Sequence, residues 1–209
     1  MILSSVKILW GDQGFFLKLF EDRFTDPEKA IWWGWTYDFL ATFLLFACIP
    51  FSIQQRAQKH IPSIGSGVGD YRFGLKATGI AFLILPLAVW AGAQGPTHLA
   101  MYPLSSLATS SLSAFLLWNL LHLFHYIGWE AFYRGFIGLG MRPLLGSFGA
   151  LSLQVLSTTL MHIDKPMGET VGAFVGGIYL GLLTYRTGSI WYAVLFHAYL
   201  GALNTYFCA

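Results

Sequence analysis

Residues 107–140 form an almost uninterrupted apolar stretch that is too long for one straight membrane crossing. Its roughly 34 residues would extend about 51 Å as an α-helix, whereas the hydrocarbon core of a bilayer is about 30 Å thick. The segment must therefore tilt, protrude or break, and we expect the break at Gly128. The same stretch contains Glu130 and Arg134. An ionised group in hydrocarbon costs several kcal/mol, roughly 2.5–3.5 on insertion scales, so such groups indicate a function.

The composition of the whole chain predicts a membrane protein. Of the 209 residues, 56% are hydrophobic and only 11% are charged, whereas soluble domains carry about 25% charged residues. We predict an all-α fold in which residues 1–30 form an amphipathic interfacial segment and residues 31–209 form a polytopic transmembrane helix bundle. The lipid bilayer is then one partner. Because no basic run is interleaved with aromatic residues, nucleic acid is not an expected partner.

The apolar segments predict about six membrane spans and an orientation. The spans lie near residues 31–53, 77–93, 118–140, 148–163, 170–185 and 189–207. The loops after the first, third and fifth spans carry six basic residues, which are Arg56, Lys59, Arg72, Lys76, Arg142 and Arg186, whereas the opposite side has Lys165 and the N-terminal Lys18, Arg23 and Lys29. Since cytoplasmic loops are enriched in Lys and Arg, the bias places these loops in the cytoplasm and both termini outside.

Polar side chains inside the predicted spans are the candidate site residues. Glu130 and Arg134 lie four residues apart on one helix face, where an ordinary ion pair is the alternative explanation. His122 is about 80° from Glu130 around the helix and could line the same cavity, whereas His125 is expected to be a packing or interfacial residue. Asp38, near the start of the first span, is expected at headgroup depth.

Two further histidines fall in later apolar segments. His162 ends an apolar run, so snorkelling to the membrane interface is its alternative role. His197 lies within the last predicted span, where a buried imidazole requires hydrogen-bond partners. Because few polar residues are near it on its own helix, we expect those partners on other helices.

Three ordered motifs resemble those of a known family. They are WEAFYRG at 129–135, MHIDKP at 161–166, and RTGSIWY at 186–192 followed by His197. Over residues 129–204 the chain resembles the CAAX-protease and bacteriocin-processing (ABI) family of intramembrane glutamate proteases. The Trp-Glu variant, together with the His-x-x-Lys-Pro pattern, further resembles a bacterial branch that processes C-terminal sorting tags.

The chain departs from the family pattern at two positions. The first family motif has two adjacent glutamates; here Trp129 occupies the first position and Glu130 the second, so Glu130 must take the water-activating role. The family's asparagine four residues after the last histidine is Gly201 here. Asn204 is about 20° from the azimuth of His197 and roughly 10.5 Å along the axis. We therefore expect Asn204 to face the same cavity one turn deeper, with Gly201 giving room for substrate or water.

The resemblance implies an endopeptidase that uses water without a covalent enzyme intermediate. Glu130 and His162 would activate the water, and His197 would donate to the developing oxyanion. Three side chains would support them: Arg134, Asn204 and His122. The implied substrate is a membrane-anchored protein that is cut near its C-terminal tail, and the implied location is the bacterial inner membrane. No cofactor or metal is implied.

Two alternatives stay open at this stage. The departures at Trp129 and Gly201 suggest a catalytically inactive relative that acts as a membrane scaffold or binds substrates. A zinc-dependent membrane protease is the other alternative, because the chain offers suitable ligand types, namely His122, His162, His197 and Glu130. The sequence has no HExxH motif or comparable local spacing of zinc ligands.

Overall fold

The computed structural model describes residues 2–56 and 63–209, and all regular secondary structure in these residues is helical. The α-helices are α1 Ile2–Trp10, α2 Gln13–Phe20, α3 Pro27–Phe43, α4 Ile49–Arg56, α5 Tyr71–Gly92, α6 Pro96–Leu99, α7 Leu112–Glu130, α8 Arg142–Leu160, α9 Met167–Thr187 and α10 Trp191–Phe207. Two π-helical segments, Leu44–Cys48 and Ala131–Gly140, join α3 to α4 and extend α7. Short 3-10 helices span Glu21–Arg23 and Ser106–Thr109. The predicted all-α fold is confirmed.

Four helical stretches in the described residues are long and apolar enough to cross a membrane. They are Pro27–Arg56, Tyr71–Gly92, Arg142–Leu160 and Met167–Thr187. These correspond to four of the six predicted spans. The other two are α7 with its π-helical extension, which carries several polar side chains, and α10, which has 17 residues. Both pack in the same bundle, so the protein is a helical membrane bundle.

The helix boundaries follow from local chemistry. Asp26 accepts a hydrogen bond from the Glu28 backbone N–H at the start of α3, and Pro27 occupies the first turn. Ser111 caps α7 by accepting from the backbone N–H of Ala114. Both are favoured N-terminal arrangements because they satisfy or avoid unpaired N–H groups. These caps fix the start of the two helices that pack side by side around the site.

Helix α7 lies at the centre of the arrangement, packed against α3 on one side and α10 on another. At Gly128 a Cβ atom would lie only 2.6 Å from the backbone oxygen of Thr42 in α3. Glycine is therefore required for the close approach of α7 and α3. The helix continues through Gly128 and changes to π-helical geometry only after Glu130. The predicted break at Gly128 was wrong, because this glycine serves packing rather than a bend.

Several basic residues of the predicted cytoplasmic loops lie at one end of the bundle. Arg186 pairs with Asp70 at 2.8 Å, which joins the end of α9 to the start of α5. The Arg142 guanidinium lies 4.3 Å from the centre of the Tyr185 ring, close to the same end. Lys59, which contributed to the charge count, lies outside the described residues. Which end faces the cytoplasm stays a prediction from the charge bias.

A buried ion pair ties α1 to the bundle. Lys7 Nζ lies 2.6 Å from Asp38 Oδ2, and both side chains are buried. The other carboxylate oxygen of Asp38 lies 3.4 Å from Nδ1 of His125 in α7. Asp38, which was expected at headgroup depth, is thus enclosed by protein between α1 and α7. The N-terminal segment contributes a charged contact to the protein interior.

Replacing Lys7 by methionine is expected to destabilise the fold by about 3–5 kcal/mol, because Asp38 would then be buried without its cation. Thermal unfolding of the purified protein in detergent measures the loss. Lys18→Met is the matched control, since Lys18 is exposed. The double variant Lys7→Met/Asp38→Leu should recover much of the stability, because both charges are removed together. Equal melting temperatures for Lys7→Met and the wild type would show that the pair does not stabilise the fold.

Candidate active site

Glu130 is the centre of a buried polar cluster. It is the last residue of α7 and its side chain is fully buried. Its Oε1 lies 2.5 Å from Nδ1 of His197 on α10, and its Oε2 lies 3.3 Å from Nε of Arg134 in the π-helical extension. Arg134 is also buried. The predicted ion pair with Arg134 is present, and the structure adds His197, which is 67 residues away along the chain.

The hydrogen-bonding roles in this cluster follow from the atom types. A carboxylate oxygen can only accept, so Nδ1 of His197 carries the proton and donates to Glu130. This leaves Nε2 of His197 available to another molecule. Oε2 of Glu130 and two guanidinium nitrogens of Arg134 are buried without a hydrogen-bond partner among the described residues. Buried polar atoms normally have partners, so the ion pair leaves hydrogen-bonding capacity of Glu130 and Arg134 unused.

His162 lies beside the Trp129–Glu130 pair. Its Nδ1 is 2.7 Å from the Thr158 carbonyl oxygen, and because a carbonyl only accepts, Nδ1 carries the proton. In the neutral ring Nε2 is then an unprotonated acceptor. The ring of Trp129 meets the ring of His162 edge-on at 5.8 Å. His162 makes no hydrogen bond to Glu130 or His197 in the described part of the chain, so the structure places it next to the motif but not in the ion-pair cluster.

His122 reaches the site only through another side chain. It stacks between Phe39, at 4.2 Å, and Tyr126, at 4.4 Å between ring centres. Tyr126 in turn stacks on His197 at 5.2 Å, with the ring planes 13° apart. His122 therefore supports the column of rings that carries His197. It has no hydrogen bond to Glu130 within the described residues.

Asn204 and Gly201 differ from what the sequence suggested. Oδ1 of Asn204 lies 2.6 Å from Nε2 of His98, so the asparagine is held by α6 and has no hydrogen bond to His197 among the described residues. A Cβ atom at Gly201 would overlap the hydroxyl group of Tyr126. The expectation that Gly201 leaves room for substrate or water was wrong, because the Tyr126 side chain fills that space.

Sequence reasoning missed Tyr126. Its signal is its spacing, because His122, Tyr126 and Glu130 follow one another at intervals of four residues on α7. Residues at this spacing lie on one helix face.

His125, expected to be a packing residue, stacks on Trp129 at 5.6 Å and is also close to Asp38.

A second polar contact joins the loop after α6 to the start of α9, next to the second motif. The hydroxyl of Tyr102 donates to the carboxylate of Glu169 at the start of α9, at 2.9 Å from each oxygen. Burial, together with the negative charge of Glu169, raises the pKa of the Tyr102 hydroxyl well above its ordinary value. The hydroxyl therefore stays protonated at neutral pH and keeps the loop after α6 attached to α9.

The described residues contain no group of three or more His, Cys, Asp or Glu side chains arranged to hold a metal ion. The ligand types that raised the zinc alternative are dispersed. His122 is stacked between aromatic rings, His162 is bonded to a backbone carbonyl, and His197 is paired with Glu130. Of these four side chains, His197 and Glu130 are the pair joined by a hydrogen bond in the described residues.

Fold and site together define a polytopic helical membrane protein with a buried glutamate–histidine–arginine cluster. Residues 111–203 match the family described as type II CAAX prenyl endopeptidase Rce1-like. The matched region contains all three motifs, so the resemblance to the CAAX-protease family is confirmed there, and the sorting-tag branch stays a prediction. No curated protein and no solved structure gives a significant match to the chain. The family match supports a membrane-embedded protease.

Proposed function

We propose that this protein is an intramembrane endopeptidase that hydrolyses a peptide bond near the C-terminal tail of membrane-anchored proteins. The observation that carries the proposal is the fully buried Glu130, which is held by His197 and Arg134 inside a membrane-type bundle. Burial of a charged cluster costs free energy that a purely structural helix contact could avoid with apolar residues. The proposed location is the bacterial inner membrane.

Glu130 and His162 activate the water in this proposal. Oε2 of Glu130, which makes no hydrogen bond among the described residues, accepts a hydrogen bond from the water, and Nε2 of His162 takes the proton of the water. The water oxygen attacks the carbonyl carbon of the peptide bond and forms a tetrahedral intermediate. The C–N bond then breaks, and His162 passes the proton to the leaving amine. Water is consumed, a carboxylate and an amine are released, and no covalent enzyme intermediate forms.

His197 stabilises the oxyanion of that intermediate. Glu130 accepts from Nδ1 of His197, which fixes the orientation of the ring, and the proposed role requires a second proton on Nε2. In this doubly protonated form Nε2–H points away from Glu130 and donates to the oxyanion. Arg134, paired with the same carboxylate, offsets its negative charge. This reduces the repulsion between Glu130 and the negative charge that develops during the reaction.

The surroundings of the site support a substrate that is itself embedded in the bilayer. The outer surface of the bundle is apolar, and side chains such as Leu83 and Phe148 are more than 80% exposed. These side chains suit contact with lipid. A C-terminal tail in the same bilayer reaches Glu130 by moving laterally between helices, without first crossing an aqueous phase.

A catalytically inactive, substrate-binding relative is the second candidate. The observation that favours it is the position of Trp129, whose ring lies between His125 at 5.6 Å and His162 at 5.8 Å. A bulky apolar ring thus occupies the position where the family has its first glutamate. In this alternative the bundle would bind a tail without cutting it.

The two candidates are separated by co-expression with a membrane-anchored reporter that carries a cleavable C-terminal transmembrane tail. The wild type should shorten the reporter, and His162→Ala should lose at least about 10²-fold in rate, since a general base contributes about 10²–10⁴-fold. A reporter left intact by the wild type but co-purifying with it would favour the binding alternative.

Treatment of isolated membranes with a chelator should leave processing unchanged. Chelator-sensitive processing that zinc restores would favour the zinc protease.

A further inference from the structure

The ring of Tyr126 stacks on His197, and its hydroxyl lies against Gly201, four residues after His197 on α10. We propose that Tyr126 is a catalytic residue whose hydroxyl donates a second hydrogen bond to the oxyanion, next to Nε2 of His197. This inference rests on the proposed protease function and adds a residue to its mechanism. It is carried by the geometry of Tyr126, His197 and Gly201, which come from α7 and α10.

The absence of a side chain at Gly201 is what admits the hydroxyl. Gly201 follows His197 by four residues, so the two positions lie one turn apart on the same face of α10. A Cβ atom at this glycine would overlap the Tyr126 hydroxyl and lie only 2.8 Å from the ring carbon that bears it. Any other residue would displace the phenol. The glycine on α10 and the tyrosine on α7 therefore form a matched pair.

The ring of Tyr126 is held firmly. It is buried and stacks on His197 on one side, at 5.2 Å, and on His122 on the other, at 4.4 Å. His122 is itself stacked on Phe39 of α3. Such offset ring contacts fix orientation. The ring is thus held in a fixed orientation against the imidazole that is proposed to bind the oxyanion, with its hydroxyl at Gly201.

The hydroxyl is also free to donate. Among the described residues, no hydrogen bond involves the Tyr126 oxygen. By contrast, Tyr192 uses its hydroxyl to bond the backbone oxygen of Val68, and Tyr185 bonds that of Gly138. A phenol is protonated at neutral pH and needs no ion partner to donate. Its donor capacity therefore suits an oxyanion that appears only during the reaction.

Tyr126→Phe tests the role directly, because phenylalanine keeps the ring stacking and loses only the O–H donor. We expect kcat for cleavage of the purified tail reporter in detergent to fall on the order of 10²–10³-fold, with KM little changed. Tyr199→Phe is the matched control: Tyr199 lies on α10 and stacks on Phe82, away from the site. It should keep the wild-type kcat. A wild-type kcat for Tyr126→Phe would overturn the proposal, because stacking alone would then explain the residue.

Two further variants distinguish the loss of the hydrogen-bond donor from misfolding. Gly201→Asn alone should be inactive, since its side chain overlaps the Tyr126 ring. In the double variant Tyr126→Ala/Gly201→Asn the clash is removed, and the amide N–H₂ lies one turn from His197 as a replacement donor. We expect the double variant to cleave at least 10-fold faster than Tyr126→Ala, on the scale of one recovered donor. Equal rates for Tyr126→Ala and the double variant would count against a donor at this position.

Failure of this inference can be told apart from failure of the proposed function. If the wild type and Glu130→Gln cleave the reporter equally, the protease function itself is wrong. If Glu130→Gln is inactive and Tyr126→Phe is fully active, only the role of Tyr126 is wrong. Melting temperatures of all variants, measured in the same detergent, show whether a loss of cleavage follows a loss of fold.

Discussion

Replacing Glu130 by glutamine is expected to abolish processing of a membrane-anchored reporter, with a loss on the order of 10²–10⁴-fold in rate. Glutamine keeps the shape of the side chain but cannot carry the negative charge. Its amide would leave the buried Arg134 without its anion and would offer His197 no carboxylate to donate to. The rate is measured as the shortening of the reporter over time after co-expression, at matched amounts of protease in the membrane.

Two further variants show whether Glu130→Gln loses activity because the catalytic carboxylate is missing or because the fold is disturbed. Glu21→Gln makes the same substitution at an exposed carboxylate and should process at the wild-type rate. Glu130→Asp keeps the charge but draws the carboxylate back by about 1.5 Å, the length of one C–C bond. It should fold and still lose most activity, because water activation depends on distance. Near-normal processing by Glu130→Gln would show that Glu130 is structural and that the glutamate-dependent mechanism is wrong.

Much of the fold was predictable because it depends on composition and on local spacing. The low charge content and the apolar segments predicted a membrane helix bundle, and four of the predicted spans coincide with helices that are long and apolar enough to cross a membrane. The change of helix type after Glu130 was not predictable. Gly128 offered a conventional reason for a break, but its small size is used to bring α7 close to Thr42 of α3.

The site was predictable where it depends on motifs and unpredictable where it depends on contacts between distant residues. Glu130 and Arg134 were paired from their spacing on one helix. The pairing of Lys7 with Asp38 joins residues 31 positions apart, and that of Tyr126 with Gly201 joins α7 to α10. No local pattern encodes such contacts. For the same reason the roles proposed for His162 and His197 stay predictions until their variants are measured.

His197→Ala is expected to lower kcat on the order of 10²–10³-fold, the usual loss for one oxyanion donor. The structure gives the reason, because His197 is the imidazole that contacts Glu130 and its Nε2 is left for the substrate. KM for the reporter should change little, since the oxyanion exists only in the transition state and the intermediate. The measurement is steady-state cleavage of the purified reporter in detergent, with the melting temperature as a check on folding.

Asn204→Ala provides the comparison on the same helix, and its kcat should fall much less. Oδ1 of Asn204 lies 2.6 Å from Nε2 of His98, so this side chain joins α10 to α6. Its loss should appear mainly as a lower melting temperature, because a neutral hydrogen bond contributes about 1 kcal/mol to stability. Equal and severe losses of kcat at both positions would show that Asn204 takes part in oxyanion binding. Unchanged processing in His197→Ala would remove His197 from the mechanism and, with it, the reason for placing Tyr126 beside the oxyanion.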